Sequence, residues 1–268
     1  AKSYNLGLLF RMLAYGCPVM VEFAIVMENV VKRFEDVVAV NGISLKVFCG
    51  ELFGLLGPNG AGKTTTVSML CGLLKPTSGF VWVGGYDVQR ESAKVKGLIG
   101  VCPQETAVYP YLTGVENVEL FGNLYALDKE TLKSRRDMLL EKLGLTQDAR
   151  RKVEKYSGGM KRRLSIVLAL IHNPQIIFLD EPTIGMDPQS RHAVWDFLQE
   201  LKKEGKTIFL TTHYMEEAEY LCDRVGIIDY GRLIALGTPK NLISKNNVNN
   251  LEEVFIKLTG RRIREEIL

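Results

Sequence analysis

The sequence predicts an α/β fold, in which short buried strands alternate with helices around one large core. Two observations predict this class. Residues 51–56, which are apolar except for Glu51, lead into a glycine-rich turn and then into a segment that can begin a helix. Residues 176–179 form a second apolar run, which ends at two acids. The chain has 268 residues, 46% of them hydrophobic, which is enough for one large domain with or without a subdomain.

The composition argues against some classes of function. The formal net charge is only +3, so there is no bulk electrostatic argument for binding to nucleic acid. The five cysteines lack the close spacing of a metal site, and we expect reduced thiols that pack as small hydrophobic groups. They are Cys17, Cys49, Cys71, Cys102 and Cys222.

The N-terminal segment does not fit the globular pattern. Residues 6–27 are strongly apolar, but their longest uncharged run, 12–21, is shorter than the about 20 residues that a membrane-spanning helix needs. A small-residue cleavage site of the secretory type is also missing from this sequence. We expect residues 1–23 to be an extension that the fold does not need, with the functional start near Met20 or Met27. An interfacial helix is the alternative.

Residues 57–64 have the pattern G-x-x-x-x-G-K-T, which is typical of a loop that binds phosphate. The backbone N–H groups of such a turn point at the phosphates, Lys63 adds a positive charge, and the Thr64 hydroxyl can bind Mg²⁺. The strand before the loop and the helix after it disfavour the alternative, an ordinary glycine-rich surface turn. The sequence therefore predicts a site for a nucleoside triphosphate. Its predicted contacts are Gly57, Pro58, Asn59, Gly60, Ala61, Gly62, Lys63, Thr64 and Thr65.

The two acids that end the second apolar run add a metal anchor and a group that can act on water. Phosphoryl transfer needs both of these in addition to a phosphate site. Asp180 is placed to hold Mg²⁺, directly or through water, and Glu181 can polarise a water molecule. The alternative is a solvated acidic pair at the end of a strand.

A second glycine turn, at residues 157–159, opens a predicted helix at 161–171. The free N–H groups of a helix N-terminus and the Ser157 hydroxyl can bind an anion. This turn could equally be a simple helix cap. A second phosphate site makes sense if the turn of one chain meets the γ-phosphate that the loop of another chain holds.

At this point the chain resembles the ATP-binding cassette (ABC) ATPases, over about residues 24–268. Ser157, Gly158 and Gly159 look like the signature motif of that family, with Met160 where Gln is commoner. The motif stands about twenty residues before the strand that ends in the two acids, as in the family.

Further residues fall in the order of the family. Phe34 resembles the aromatic residue that stacks on adenine, although a core Phe of an edge strand is the alternative. Gln104 matches the glutamine that contacts Mg²⁺ and the attacking water. Asp187 resembles the D-loop aspartate, and His213 looks like the switch histidine that contacts the γ-phosphate. The resemblance thus implies Glu181, His213 and Gln104 as catalytic residues, and Thr64, Gln104 and Asp180 as metal ligands.

The resemblance also implies the P-loop NTPase form of the α/β class, with a RecA-like core, an antiparallel β-subdomain and an inserted helical subdomain at about residues 105–160. The residue patterns agree: 24–88 is rich in strand and turn signals, and the insert carries helix-capping residues at Thr113 and Asp128. In the family this insert meets the membrane subunit. The aromatic loop 109–112 is our candidate contact, and local packing of its tyrosines is the alternative.

The implied function is that of an ATPase subunit of an ABC transporter, peripheral at the cytoplasmic face of the membrane. Two copies, most simply a homodimer, would sandwich Mg-ATP head to tail and drive an integral-membrane permease, with no nucleic-acid partner. The tail at 251–262 and the residues around Ser157 resemble the daunorubicin-resistance group, which works with ABC-2 permeases that export drugs, lipids or polysaccharide. The basic residues 161–163 by themselves predict a solvated helix face.

A soluble ABC ATPase that acts on ribosomes or DNA is the alternative from another class. Such proteins usually carry two cassettes or a long coiled coil, and this sequence has one cassette and no heptad run. A different P-loop enzyme, such as a small-molecule kinase, would not need the turn at 157–159 or His213.

Overall fold

The computed structural model describes residues 22–260, which form two β-sheets flanked by helices. The strands are β1 (Phe23–Phe34), β2 (Val37–Phe48), β3 (Leu52–Leu56), β4 (Ser78–Val83), β5 (Tyr86–Asp87), β6 (Ile99–Cys102), β7 (Ile176–Asp180), β8 (Thr207–Thr212), β9 (Arg224–Asp229) and β10 (Arg232–Gly237). The α-helices are α1 (Lys63–Leu70), α2 (Ser92–Leu98), α3 (Gly114–Leu124), α4 (Lys129–Lys142), α5 (Gly158–Leu170), α6 (Pro188–Lys203), α7 (Met215–Leu221), α8 (Pro239–Asn246) and α9 (Leu251–Thr259). None of these helices is long and apolar enough to cross a membrane.

The smaller sheet is antiparallel, with the strand order β2-β1-β4-β5. In β2 the buried residues Ile43, Leu45 and Val47 alternate with the exposed Ser44 and Lys46. This period of two is expected when one face of a sheet packs on a core and the other faces water. The strand-rich pattern that the sequence showed in this region is confirmed.

The larger sheet has the order β10-β9-β3-β8-β7-β6 and is parallel except for β10 at its edge. Every residue of β3, β7 and β8 is buried, as expected for central strands that are covered on both faces. Leu56 pairs with Thr212, and Asp180 pairs with Thr211. The carboxyl ends of these three strands therefore meet at one edge, which brings together the segments that follow them.

Helices α3 and α4, between β6 and β7, begin and end where the local signals predict, whereas α5 begins at Gly158, three residues before the predicted 161. The Thr113 hydroxyl accepts a hydrogen bond from the Glu116 N–H at 3.2 Å, and the Glu116 carboxylate accepts one from the Thr113 N–H at 2.7 Å. This reciprocal pair is a capping box, and it starts α3. Asp128 caps α4, and Gly144, with a φ of 62°, follows its end.

The expected N-terminal extension lies mostly outside the described residues, which begin at 22. Phe23 is an exception, because it begins β1, pairs with Phe48 and packs its ring 5.0 Å from the Phe48 ring. Met27 is buried in the middle of β1. A chain that started at Met27 would lack the first part of this strand.

Candidate nucleotide-binding site

The glycine-rich loop lies between the end of β3 and the start of α1 at Lys63. Two of its glycines have no space for a side chain. An added Cβ would lie 2.3 Å from the Ile228 carbonyl oxygen at Gly57, and 2.3 Å from the Ala39 carbonyl oxygen at Gly62. Gly62 also has a φ of 104°, which residues with a side chain rarely adopt. Backbone from β2 and β9 thus fixes the loop from two sides.

The Lys63 side chain folds back over this loop and is only 5% exposed. Its Nζ donates hydrogen bonds to the carbonyl oxygens of Gly57 at 2.8 Å and Pro58 at 3.2 Å. The same nitrogen lies 3.1 Å from Oε1 of Glu181. The positive charge is therefore held between the loop and the acid that follows β7.

Glu181 is buried and has a left-handed backbone, with a φ of 53°, which is uncommon for a residue other than glycine. Its Oε2 forms a hydrogen bond with Nδ1 of His213. Burial disfavours the carboxylate, but the hydrogen bond with His213 and the charge of Lys63 outweigh that effect and hold the pKa of Glu181 below its ordinary value. Glu181 is therefore an ionised acceptor at neutral pH.

Asp180 ends β7, and its carboxylate accepts a hydrogen bond from the Thr211 hydroxyl. Thr64 and Gln104, the other predicted metal ligands, line the same cleft as Lys63. These three oxygen donors fit Mg²⁺, which prefers oxygen ligands and usually keeps waters and substrate phosphates among them. Within residues 22–260 no cluster of three acidic, histidine or cysteine side chains could hold a metal ion by itself. The donors therefore suit a magnesium ion that arrives with phosphate.

A cleft of about 500 Å³ opens beside the loop. Phe34 lines this cleft and is 45% exposed, so it is not the core residue that the alternative interpretation required. Tyr230, in the turn between β9 and β10, is a second exposed aromatic residue at the cleft, which the sequence interpretation missed. Gly57 and Ala61, two other predicted contacts in the loop, are buried. The predicted residues that line the cleft are Phe34, Pro58, Asn59, Gly60, Gly62, Lys63, Thr64, Thr65, Gln104 and Glu181.

The glycine turn at 157–159 does not line this cleft. The Ser157 hydroxyl caps α5 by accepting a hydrogen bond from the Met160 N–H at 3.2 Å, and Ser157 and Gly158 are exposed. Asp187 is exposed as well and caps α6. These predicted site residues therefore stand apart from the cleft of their own chain.

The predicted solvated face at residues 161–163 is wrong for Arg162. Its side chain is 2% exposed, and its guanidinium donates to the backbone carbonyl oxygens of Gln104 and Glu181. Residues four and seven apart on a helix share a face, so Arg162 lies on the same face as the apolar residues Ile166 and Ala169, which are buried. This periodicity is the signal that could have identified the buried arginine.

Glu217 lies on α7 between two other acidic residues, Glu216 and Glu219, which are exposed. It is completely buried, and its Oε1 accepts hydrogen bonds from the Thr183 hydroxyl at 2.8 Å and from Trp195 Nε1 at 2.9 Å. Its Oε2 has no hydrogen-bond partner among residues 22–260. Burial raises the pKa of Glu217. This carboxyl group ties α7, which follows His213, to α6 and to the segment after β7.

A glycine-rich loop between a parallel strand and a helix, with acids at the end of a neighbouring strand, defines a P-loop nucleoside triphosphatase. Comparison with known families makes the class more specific, because residues 40–184 match the ABC transporter family. The chain belongs to this family as an ATP-binding subunit, and it is an ATPase.

Individual relatives agree with this assignment. The linearmycin resistance ATP-binding protein LnrL of Bacillus subtilis (strain 168) is 47% identical over 90% of this chain and 76% of its own length. The daunorubicin resistance ATP-binding protein DrrA3 of Streptomyces coeruleorubidus is 43% identical over 88% of this chain and 75% of its own length. A dimeric structure of the ATP-binding cassette MJ0796, in a post-hydrolysis state with ADP and Pi, matches with a TM-score of 0.74 and 27% identity, over 80% of this chain and 98% of that chain. The predicted fold class is confirmed.

The substitution Glu217→Gln is expected to remove a pH dependence of stability. Because the pKa of Glu217 is raised in the folded state, the native chain binds more protons than the unfolded chain once the pH exceeds the unfolded value of 4.5. The wild-type chain therefore loses stability as the pH rises from there toward the folded pKa, and the glutamine variant does not. The free energy of unfolding of the variant relative to the wild type, from chemical denaturation, should increase between about pH 5 and about pH 8.

Glu216→Gln is the matched control, because Glu216 lies on the same helix and is exposed. It should leave the pH dependence unchanged. If Glu217→Gln changed the free energy of unfolding by the same amount at both pH values, the raised pKa of Glu217 would be contradicted.

Proposed function

We propose that this chain is the ATP-hydrolysing subunit of an export-type ABC transporter, and that it works as a head-to-tail dimer. One observation carries the proposal: the cleft of the chain holds the phosphate loop and Glu181, while the second anion-binding turn, at 157–159, faces solvent outside that cleft. The names of the relatives, resistance to linearmycin and to daunorubicin, support an exporter. Drugs, lipids or polysaccharide are the proposed cargo, and the permease would bind it.

In this proposal the cleft holds ATP. Phe34 offers an exposed ring against which adenine can stack, and the loop N–H groups at 57–65 bind the phosphates. Lys63 lies over the same loop, where a β/γ-phosphate would meet its charge. Tyr230 adds aromatic surface to the cleft.

Hydrolysis would use the charges that the structure gathers at the sheet edge. Mg²⁺, held by Thr64, Gln104 and Asp180 together with the phosphates, would neutralise phosphate charge when bound. The loop N–H groups and Lys63 would stabilise the negative charge of the transition state. The ionised Glu181 carboxylate would orient the attacking water and accept its proton, while His213 keeps that carboxylate in place through Nδ1.

A second chain would complete each site. The turn at 157–159 begins α5, so its free N–H groups and the positive end of the helix would face the γ-phosphate of the partner. Asp187, exposed at the start of α6, would lie at the dimer contact as the D-loop residue. The dimeric cassette with ADP and Pi supports this arrangement. Since one chain carries both halves of a site, we propose a homodimer.

We further propose that the chain contacts an integral-membrane permease, which would hold it at the cytoplasmic face of the membrane. A mainly apolar groove of about 410 Å³ lies between the β6 edge of the parallel sheet and α3. Leu73, on its lining, is 71% exposed, and Tyr111, in the loop that leads into α3, is 75% exposed. An apolar groove with exposed apolar side chains commonly marks a partner contact.

The variant Glu181→Gln should bind Mg-ATP but hydrolyse it slowly, because glutamine cannot accept the proton of the attacking water. We expect kcat to fall by about 10²–10⁴-fold. Since hydrolysis opens the sandwich, the variant should elute as a dimer at saturating Mg-ATP in size-exclusion chromatography. Glu204→Gln, at an exposed position at the end of α6, is the control and should behave as the wild type. A Glu181→Gln chain that stays monomeric and hydrolyses normally would refute the role of Glu181.

The permease proposal is tested by affinity purification of the tagged chain from detergent-solubilised membranes of its host. We expect an integral-membrane protein of about six helices to be recovered. Tyr111→Asp should lower its recovery, because a charge replaces exposed aromatic surface. Tyr220→Asp, at another exposed tyrosine, should not. Recovery of ribosomes or DNA in place of a membrane protein would favour the soluble alternative.

A further inference from the structure

Arg162 is the most completely hydrogen-bonded charged side chain near the proposed site. It lies in the second turn of α5, and all five of its N–H donors have a backbone carbonyl oxygen within reach. Nη1 donates to Gln104 at 3.0 Å, Nη2 donates to Glu181 at 3.0 Å, and Nε donates to Pro182 at 3.3 Å. The remaining two hydrogen bonds go to the carbonyl oxygens of Pro103 and Asp180.

The five acceptors come from two separate segments. Pro103 and Gln104 leave the end of β6, whereas Asp180 to Pro182 leave the end of β7. A buried guanidinium costs several kcal/mol unless its donors are satisfied, and among residues 22–260 no carboxylate lies within ion-pair distance of it. The carbonyl dipoles must therefore stay in position to hold the charge. The planar fork of arginine in turn fixes the spacing of the two segments, which a flexible ammonium group could not do.

The same contacts support a strained residue. Glu181 has a φ of 53°, a conformation that persists only where the surroundings fix it. Its N–H donates to the Thr211 carbonyl and hydroxyl oxygens, each at 3.1 Å, and its C=O accepts from Arg162. One side of the Glu181 peptide is thus held by β8 and the other by α5.

Ser157, the N-cap of α5, stands five residues before Arg162. In the dimer, Ser157 would touch the ATP of the partner, while Gln104 and Glu181 would act on the ATP of their own chain. We propose that Arg162 is a positioning residue that couples these two ATP sites, by tying the 157–159 turn to the backbone of Gln104 and Glu181. The inference rests on the proposed sandwich dimer.

The test is the ATP dependence of hydrolysis by the full chain carrying Arg162→Lys, or Arg162→Gln should the lysine variant not fold. Neither residue can hold both segments. Binding of Mg-ATP, measured by equilibrium titration, should change less than about twofold, because Lys63 and its loop are not contacted. We expect kcat to fall by about 10–100-fold, as for a catalytic group displaced by about an ångström. The Hill coefficient for ATP should fall from its wild-type value toward one.

Arg163→Lys is the matched control, since Arg163 is the next residue on α5 and donates to the Leu143 carbonyl oxygen, away from the site. It should keep the wild-type kcat and Hill coefficient. If Arg162→Lys lowered kcat but left the Hill coefficient unchanged, the coupling role would be overturned and the sandwich dimer would stand. An unchanged kcat in this variant would have the same consequence. A Hill coefficient of one in the wild type, with no dimer of Glu181→Gln, would overturn the dimer itself and the coupling with it.

Discussion

The site depends on one electrostatic constraint: Lys63 and Glu181 are both buried, and each charge is tolerable only beside the other. Their Nζ and Oε1 atoms lie 3.1 Å apart. Loss of either partner from such a pair typically costs about 3–5 kcal/mol, because the remaining charge is left uncompensated. Neighbouring groups form hydrogen bonds with the remaining ammonium protons and with the second carboxylate oxygen. Loop carbonyl oxygens accept the other two ammonium protons, and His213 contacts the second carboxylate oxygen.

The strand order makes this arrangement possible. Strand β8 lies between β3 and β7, so the loop after β3, His213 after β8 and Glu181 after β7 meet at one edge although they are far apart in the sequence. The helix-capping turn at Ser157 belongs to a different surface. The chain thus has a preorganised cleft for a triphosphate and, separately, an exposed glycine turn that we propose to bind the γ-phosphate of a partner chain. Arg162 connects the two through the backbone.

How much the sequence could predict follows from how local each interaction is. The loop, the acids after β7 and the caps at Thr113 and Asp128 depend on neighbouring residues, and pattern alone was sufficient for them. The burial of Arg162 and Glu217 depends on which face of a helix meets the core. Three basic residues in a row, or three acids around a turn, look solvated until the packing of the helix is known.

Tyr230 was missed for a related reason. It comes to the cleft only because β9 lies next to β3 in the sheet, and no local pattern around it predicts that pairing. The loop glycines show the opposite case: the motif predicted their positions, while the reason for two of them, the close approach of Ile228 and Ala39, appears only in three dimensions.

In the proposed dimer a second chain completes each ATP site, and photocleavage with vanadate tests this directly. Orthovanadate with Mg-ADP stands in for the γ-phosphate, and ultraviolet light then cleaves the backbone that touches it. In a mixture of the wild-type chain with a longer, tagged chain carrying Lys63→Met, the tagged chain holds no nucleotide of its own. If a second chain completes the site, light will cleave this tagged chain at residues 157–159, and only when wild-type chain is present. An intact tagged chain, with the wild-type chain cleaved at both its loop and its own 157–159 turn, would contradict it.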